Sequence, residues 1–177
     1  MLSAAESEKG TGRGTRLAEV LCPVVEEIEA QGARVVVQGT CRTYSGLGAE
    51  VVPLLRQAFR EILDNAREAI LGLSAGEIRI AATMAGGLLR IRFRDTGGGM
   101  PCGDVDQIFA PFFTTKPGHL GLGLPLCQAL LRALGGTVSV ASTGERGTEV
   151  VVELPCLCGK RSGAPRRPCP RRETAKA

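Results

Sequence analysis

The chain has 177 residues, 44% of them apolar, with no Trp and 3% aromatic content. This is enough for one domain with a Leu/Val/Ile/Ala core and short extensions; it excludes a disordered chain and argues against stacking on single-stranded nucleic acid. The formal net charge of +4 is concentrated at one end: seven of the 22 Lys/Arg and one of the 18 acids lie from Cys156 onward, a net of +6, which leaves 15 bases against 17 acids (−2) before it. The body of the chain is therefore close to neutral, and no nucleic-acid surface is expected.

Residues 1–14 are rich in Gly, Ser and charge and read as a flexible leader. They lack the apolar centre of a signal peptide, and no run of roughly 18 apolar residues exists to span a membrane. A cytoplasmic protein with seven Cys as thiols is expected. The spacing of Cys156, Cys158 and Cys169 matches no common zinc module.

From Leu17 to Gln31, Leu17, Val20, Leu21, Val24, Val25 and Ile28 fall at helical spacing, and Gly32 ends the helix. Arg34 to Gln38 reads as a strand, followed by a polar turn region through Gly48. Leu54, Leu55, Ala58, Ile62, Leu63, Ala66, Ala69 and Ile70 form the broadest apolar stripe of the chain and predict a second helix closed near Gly72. Glu77 to Ala81 and Leu89 to Asp95 alternate polar and apolar residues, as strands wetted on one face do, with a hairpin turn at Met84-Ala-Gly-Gly87.

Residues 96–120 form a long Gly- and Pro-punctuated segment, of the kind that is usually functional inside a compact domain. A helix follows over Leu122–Leu134, then a closing hairpin of Thr137–Ala141 and Thr148–Leu154 around Gly144–Gly147. Pro155 ends the domain, and residues 156–177 read as a basic, Pro/Arg-rich disordered tail. The element order predicts an α/β protein: a two-layer α/β sandwich over residues 15–155, its mixed sheet covered by helices on one face.

Three constellations carry chemistry. Glu61 and Asn65 stand four apart on the second helix and so share a face. Their oxygens suit Mg²⁺, and a Glu beside a metal-bound water can act as general base. Asp95, at the end of a strand, precedes Thr96, three glycines (Gly97–Gly99) and Met100. Its carboxylate can accept a hydrogen bond from an exocyclic amine such as that of adenine, and glycines let the backbone approach a ligand; a tight turn capped by Asp is the alternative. Phe109, Phe112 and Phe113, then Thr114, Thr115 and Lys116, lead to Gly121-Leu122-Gly123-Leu124. Hydroxyls, a cation and the N-terminus of a helix suit phosphate oxygens there, under a lid anchored by the phenylalanines. The alternative is a small hydrophobic cluster under a loop. The P-loop pattern is absent, and Gly97 and Gly99 lack the third glycine of a dinucleotide-binding turn.

Taken together, these segments resemble the superfamily of gyrase, heat-shock chaperone, histidine kinase and mismatch-repair ATPases (GHKL, the Bergerat fold), and above all the catalytic domain of sensor histidine kinases. Residues 57–70 resemble its N box, Asp95–Gly99 its first glycine box, and Gly121–Leu124 its second. Ile108–Lys116 is similar to the phenylalanine box of nitrogen-regulator-type kinases, and Gly147–Leu154 resembles the closing strand.

The resemblance implies a protein histidine kinase domain that binds ATP and Mg²⁺, with Asn65 on the metal, Asp95 on the adenine amine, and Gly97, Gly99, Gly121 and Gly123 shaping the pocket. It brings Met100, Phe109, Thr115, Leu122, Leu124 and Thr148 to the nucleotide, Lys116 to the phosphates, and Glu61 to the metal or its water. It implies two partners: a His-bearing dimerisation domain or partner protein that accepts the phosphoryl group, and a response regulator downstream. The sequence departs from the kinase pattern at Glu61, where Asn is common, at Glu68, where a phosphate-binding base is common, and at Pro125. The single His, His119, falls in the lid, so no phosphoacceptor helix is present and autophosphorylation by this chain alone is not expected. A stand-alone ATPase, an anti-sigma-factor-like serine kinase and an ATP-gated interaction module are the alternatives.

Overall fold

A computed structural model describes residues 15–39, 45–105, 107–144 and 146–155. The leader, the tail with Cys156, Cys158 and Cys169, and residues 40–44 lie outside it. The elements are β1 (Thr15–Arg16), α1 (Leu17–Ala30), β2 (Arg34–Gly39), β3 (Ser45–Leu47), α2 (Val52–Ile70), β4 (Glu77–Ala85), β5 (Leu88–Asp95), α3 (Gly123–Ala133), β6 (Thr137–Gly144) and β7 (Gly147–Pro155).

Five strands form one sheet in the order β2-β4-β5-β7-β6. β2 runs parallel to β4 and every other pairing is antiparallel, so the sheet is mixed. β5 shows why only one face carries helices. Leu89, Ile91, Phe93 and Asp95 are buried, whereas Leu88, Arg90, Arg92 and Arg94 are exposed. The period of two sends every second side chain to the helical layer and lines the other face with guanidinium groups. The turn between β4 and β5 is tight: Gly86 and Gly87 both adopt positive φ, 60° and 80°, which suits the twist of a two-residue hairpin.

α2 is the centre of the helical layer and packs on α1, α3 and β5. Leu55, Ala58, Phe59, Ile62, Leu63, Ala66 and Ile70 are its buried residues. Phe59, outside the stripe read from the sequence, is fully buried against Phe93, ring centroids 5.4 Å apart, whereas Ala69, inside that stripe, is exposed. α1 carries Pro23 in its interior. Proline has no N–H to donate to the carbonyl four residues back; the freed Glu19 oxygen accepts a hydrogen bond from Arg56 of α2 at 2.9 Å instead, which ties the two helices together.

The strands extend beyond the stretches read from the sequence, β4 to Ala85, β6 to Gly144 and β7 through Pro155. A two-stranded ribbon, β1 with β3, was not foreseen. Among the described residues, no helix is long and apolar enough to cross a membrane.

Candidate nucleotide-binding site

One cavity of about 690 Å³ opens between α2, the end of β5, the segment after it and the start of α3. This is the size range of a cofactor or nucleotide site. Its floor is apolar, from Ile62, Ala66, Phe93, Met100, Ile108 and Val150, and its rim is polar.

Asp95 lies at the apolar end. The alternation of β5 turns it inward with Phe93, and it is 5% exposed. Its Oδ1 accepts hydrogen bonds from the backbone N–H groups of Gly97 at 2.8 Å and Thr148 at 3.1 Å. Burial raises the Asp95 pKa above its ordinary value, and the two N–H donors oppose that rise. A buried carboxylate on the wall of a cavity, with one oxygen fixed by the backbone, can accept a hydrogen bond from an amine on a flat apolar ligand.

Gly147 makes this approach possible. Its φ is +96°, and a Cβ there would overlap the Asp95 carbonyl oxygen. Thr143 closes the same corner: its Oγ1 accepts from the Met100 N–H at 2.8 Å and lies 3.3 Å from Thr148 Oγ1. Sequence reasoning did not single out Thr143, whose only signal is its position beside the turn of the last hairpin.

Another wall belongs to α2. Glu61, Asn65 and Glu68 follow one another at helical spacing and all line the cavity. Gln57 Nε2 donates to Glu61 Oε1 at 2.6 Å, and a Cβ at position 123 would come within 2.6 Å of Glu61 Oε2. Gly123 thus lets the Glu61 carboxylate rest against the first turn of α3, where unpaired N–H groups favour negative charge. Cys127 of α3 is fully buried, and burial, with the nearby Glu61 carboxylate, pushes its thiol up to about 12, so it stays protonated and inert. Burial also raises Asp64, against the pull of Arg67, whose Nε lies 3.8 Å away.

The lid reaches the α2 wall. The Phe112 N–H donates to the Gly121 carbonyl at 3.1 Å, which closes the loop at its base. Phe112 has φ +68° and is 75% exposed. Thr114 Oγ1 accepts from the Lys116 N–H at 3.1 Å. Lys116 Nζ donates to Asn65 Oδ1 at 2.9 Å and to Glu68 Oε2 at 2.5 Å.

Most of the residues assigned from sequence meet here: Glu61, Asn65, Asp95, Gly99, Met100, Thr115, Lys116, Gly121, Leu122, Gly123, Leu124 and Thr148 all line the cavity. Two lie behind its wall. Gly97 supports Asp95 through its N–H, and Phe109 packs against the hydrophobic core while its neighbour Ile108 lines the cavity.

A model of the histidine kinase-, DNA gyrase B- and HSP90-like ATPase family matches residues 50–157. The chain belongs to that family. It is 33% identical over 161 residues to the two-component sensor PprA of Pseudomonas aeruginosa, an alignment covering 87% of this chain and 16% of that protein. It is 35% identical over 107 residues to the sensor histidine kinase RcsC of Escherichia coli, covering 57% of this chain and 11% of RcsC. In structure it is similar to the mycobacterial sensor histidine kinase MprB, with a TM-score of 0.69 at 21% identity over 80% of this chain and 96% of that one. It is also similar to full-length ShkA solved in complex with AMPPNP, with a TM-score of 0.68 at 25% identity over 85% of this chain and 32% of that one. The chain thus corresponds to the catalytic ATP-binding domain of sensor histidine kinases and spans a minor part of the length of these curated relatives.

The raised pKa of Asp95 makes a prediction about stability. The folded state holds this proton to higher pH than the unfolded state, so ionisation costs stability as pH rises past the ordinary value near 3.8. The Asn oxygen in Asp95→Asn can still accept both backbone N–H groups. Urea melts between pH 4 and pH 7 are expected to show the variant gaining stability relative to the wild type as pH rises. A difference that stays flat, or that moves towards the wild type as pH rises, would contradict the assignment.

Proposed function

We propose that this domain binds Mg-ATP in the cavity and transfers the γ-phosphoryl group to a His on a separate dimerisation domain or partner protein, which passes it to a response regulator. The reading is carried by one observation: a buried carboxylate with a fixed oxygen and a side-chain amide line the same cavity. The bound AMPPNP of ShkA supports ATP as the ligand, and the lid sequence Ile108–Lys116 supports grouping the chain with nitrogen-regulator-type kinases.

Asp95 Oδ2 accepts from the adenine 6-amino group, while Met100, Ile108 and Val150 flank the ring and exclude water. Thr148 and Gly97 hold the carboxylate in register. Asn65 Oδ1 and Glu61 are hard oxygen donors of the kind Mg²⁺ takes, and the metal, when bound, neutralises phosphate charge. Thr115, Lys116 and the first N–H groups of α3 serve the phosphate oxygens. In the transfer an imidazole nitrogen of the acceptor bonds to the γ-phosphorus as the bond to the β,γ-bridging oxygen breaks, and ADP departs with that oxygen. Catalysis is positioning and charge stabilisation, so the protein needs no covalent intermediate of its own. With His119 as its only His, sited in the lid, the domain depends on the acceptor for turnover and works in the cytoplasm.

A second reading, ATP hydrolysis with Glu61 as general base, is favoured by the placement of that carboxylate on the cavity wall, oriented by Gln57.

One assay separates them. With Mg-ATP and a supplied acceptor domain, the wild type is expected to form acid-labile phosphohistidine, and Asn65→Ala to lose at least about 100-fold in rate. Acid-stable phosphoserine would overturn the histidine reading. Steady phosphate release without acceptor, abolished by Glu61→Gln, would establish hydrolysis in its place.

A further inference from the structure

Glu68 departs from the kinase pattern, and the proposed function does not use it. It lies one turn beyond Asn65 on the cavity face of α2, with its side chain 24% exposed. Two cations and an imidazole converge on its carboxylate. Lys116 Nζ is 2.5 Å from Oε2, while His119 Nε2 and Arg67 Nη2 are each 3.8 Å from Oε1. Two of the three, Lys116 and His119, come from the lid. The Lys116 ammonium is shared with Asn65 Oδ1 at 2.9 Å, and its side chain is 35% exposed.

This arrangement has a consequence for metal binding. Mg²⁺ sits about 2.0–2.1 Å from its oxygen ligands. An ammonium group hydrogen-bonded to Asn65 Oδ1 takes up one of its two lone pairs and sets a positive charge beside the place of such an ion, and like charges repel at that distance. The Lys116–Asn65 contact and Mg²⁺ ligation by Asn65 therefore compete. Asn65 is neutral and cannot by itself compete for a lysine against water. Glu68 supplies the charge that holds Lys116 there.

We infer that Glu68 is a positioning residue for the lid: it holds Lys116 on Asn65 Oδ1, the oxygen proposed to take Mg²⁺, so that Mg-ATP binds in competition with a lysine that must leave before the lid can serve the phosphates. The inference rests on the ATP reading for its functional meaning, while the contact itself stands on geometry alone. The base of the lid supports the same view. The Phe112–Gly121 hydrogen bond and the Thr114–Lys116 turn fix the lid's shape. Releasing Lys116 would then let the lid swing as a unit.

The test is Glu68→Gln in the full chain, which keeps the size of the side chain and removes its charge. In the protein without nucleotide, amide hydrogen exchange over residues 112–119 is expected to speed up by about twofold to fivefold, the scale of a partly exposed ion pair. At fixed ATP, calorimetric titration with MgCl₂ is expected to reach half-saturation at a lower Mg²⁺ concentration in the variant. The sign of the second effect is decisive. If Glu68 served only to attract Mg²⁺, its neutralisation would raise the Mg²⁺ requirement. Unchanged lid exchange, or a raised Mg²⁺ requirement, overturns the inference. Failure of the wild type to bind any nucleotide would sink the ATP reading separately and leave the exchange comparison to decide the latch.

Discussion

The site is organised around a carboxylate that the fold buries at an energetic cost. Asp95 is the last residue of β5, and strand alternation leaves it no choice but the inner face. There it loses water on most sides, which favours its neutral form. Two backbone N–H groups offset that loss, one from Gly97 immediately downstream and one from Thr148, brought alongside by the β5–β7 pairing. The carboxylate thus sits where local turn geometry and long-range sheet register meet. A shift of β7 by one residue would remove the Thr148 donor and send Thr148 to the other face. The register of the central sheet is in this sense a condition for the site.

The second condition is the helical period of α2. One face of the helix buries Leu55, Phe59, Ile62 and Leu63 against the rest of the core. The same period brings Glu61, Asn65 and Glu68 to the cavity. The packing that holds the helix in place therefore also fixes the spacing of its polar groups. The lid has a different basis. It is anchored at one end by the buried Ile108 and the partly buried Phe109, and beyond them it leans on hydrogen bonds and ion pairs to α2. Contacts of that kind can be exchanged for others without disturbing the core, which suits a segment that must meet a ligand.

Much of this was legible in the sequence because period and punctuation are local signals. The apolar stripes of α1 and α2 and the alternation of β4 and β5 located those elements within a few residues, and the mixed sheet with one helical layer followed from their order. Asp95 and Asn65 could be paired because their surrounding motifs resemble a known family. The missing parts are those that local pattern cannot encode. Two residues at Thr15–Arg16 and three at Ser45–Leu47 are too short to show a period, so their ribbon was invisible. Phe59 escaped the stripe because its partner, Phe93, lies 34 residues away on a strand. Thr143 acts through Met100, 43 positions upstream. Lys116 was expected at phosphates, but its contacts with Asn65 and Glu68 join residues about 50 apart.

The central claim is that the Asp95 carboxylate reads an exocyclic amine, and purine selectivity tests it most directly. GTP presents a carbonyl oxygen where ATP presents that amine, so guanine would set an acceptor against a carboxylate with no donor between them. In calorimetric titrations of the wild-type chain at equal Mg²⁺, Mg-ATP is expected to bind at least about 10- to 100-fold more tightly than Mg-GTP. Equal affinity for the two nucleotides would contradict the assignment of Asp95 and, with it, the orientation of the ligand across the cavity.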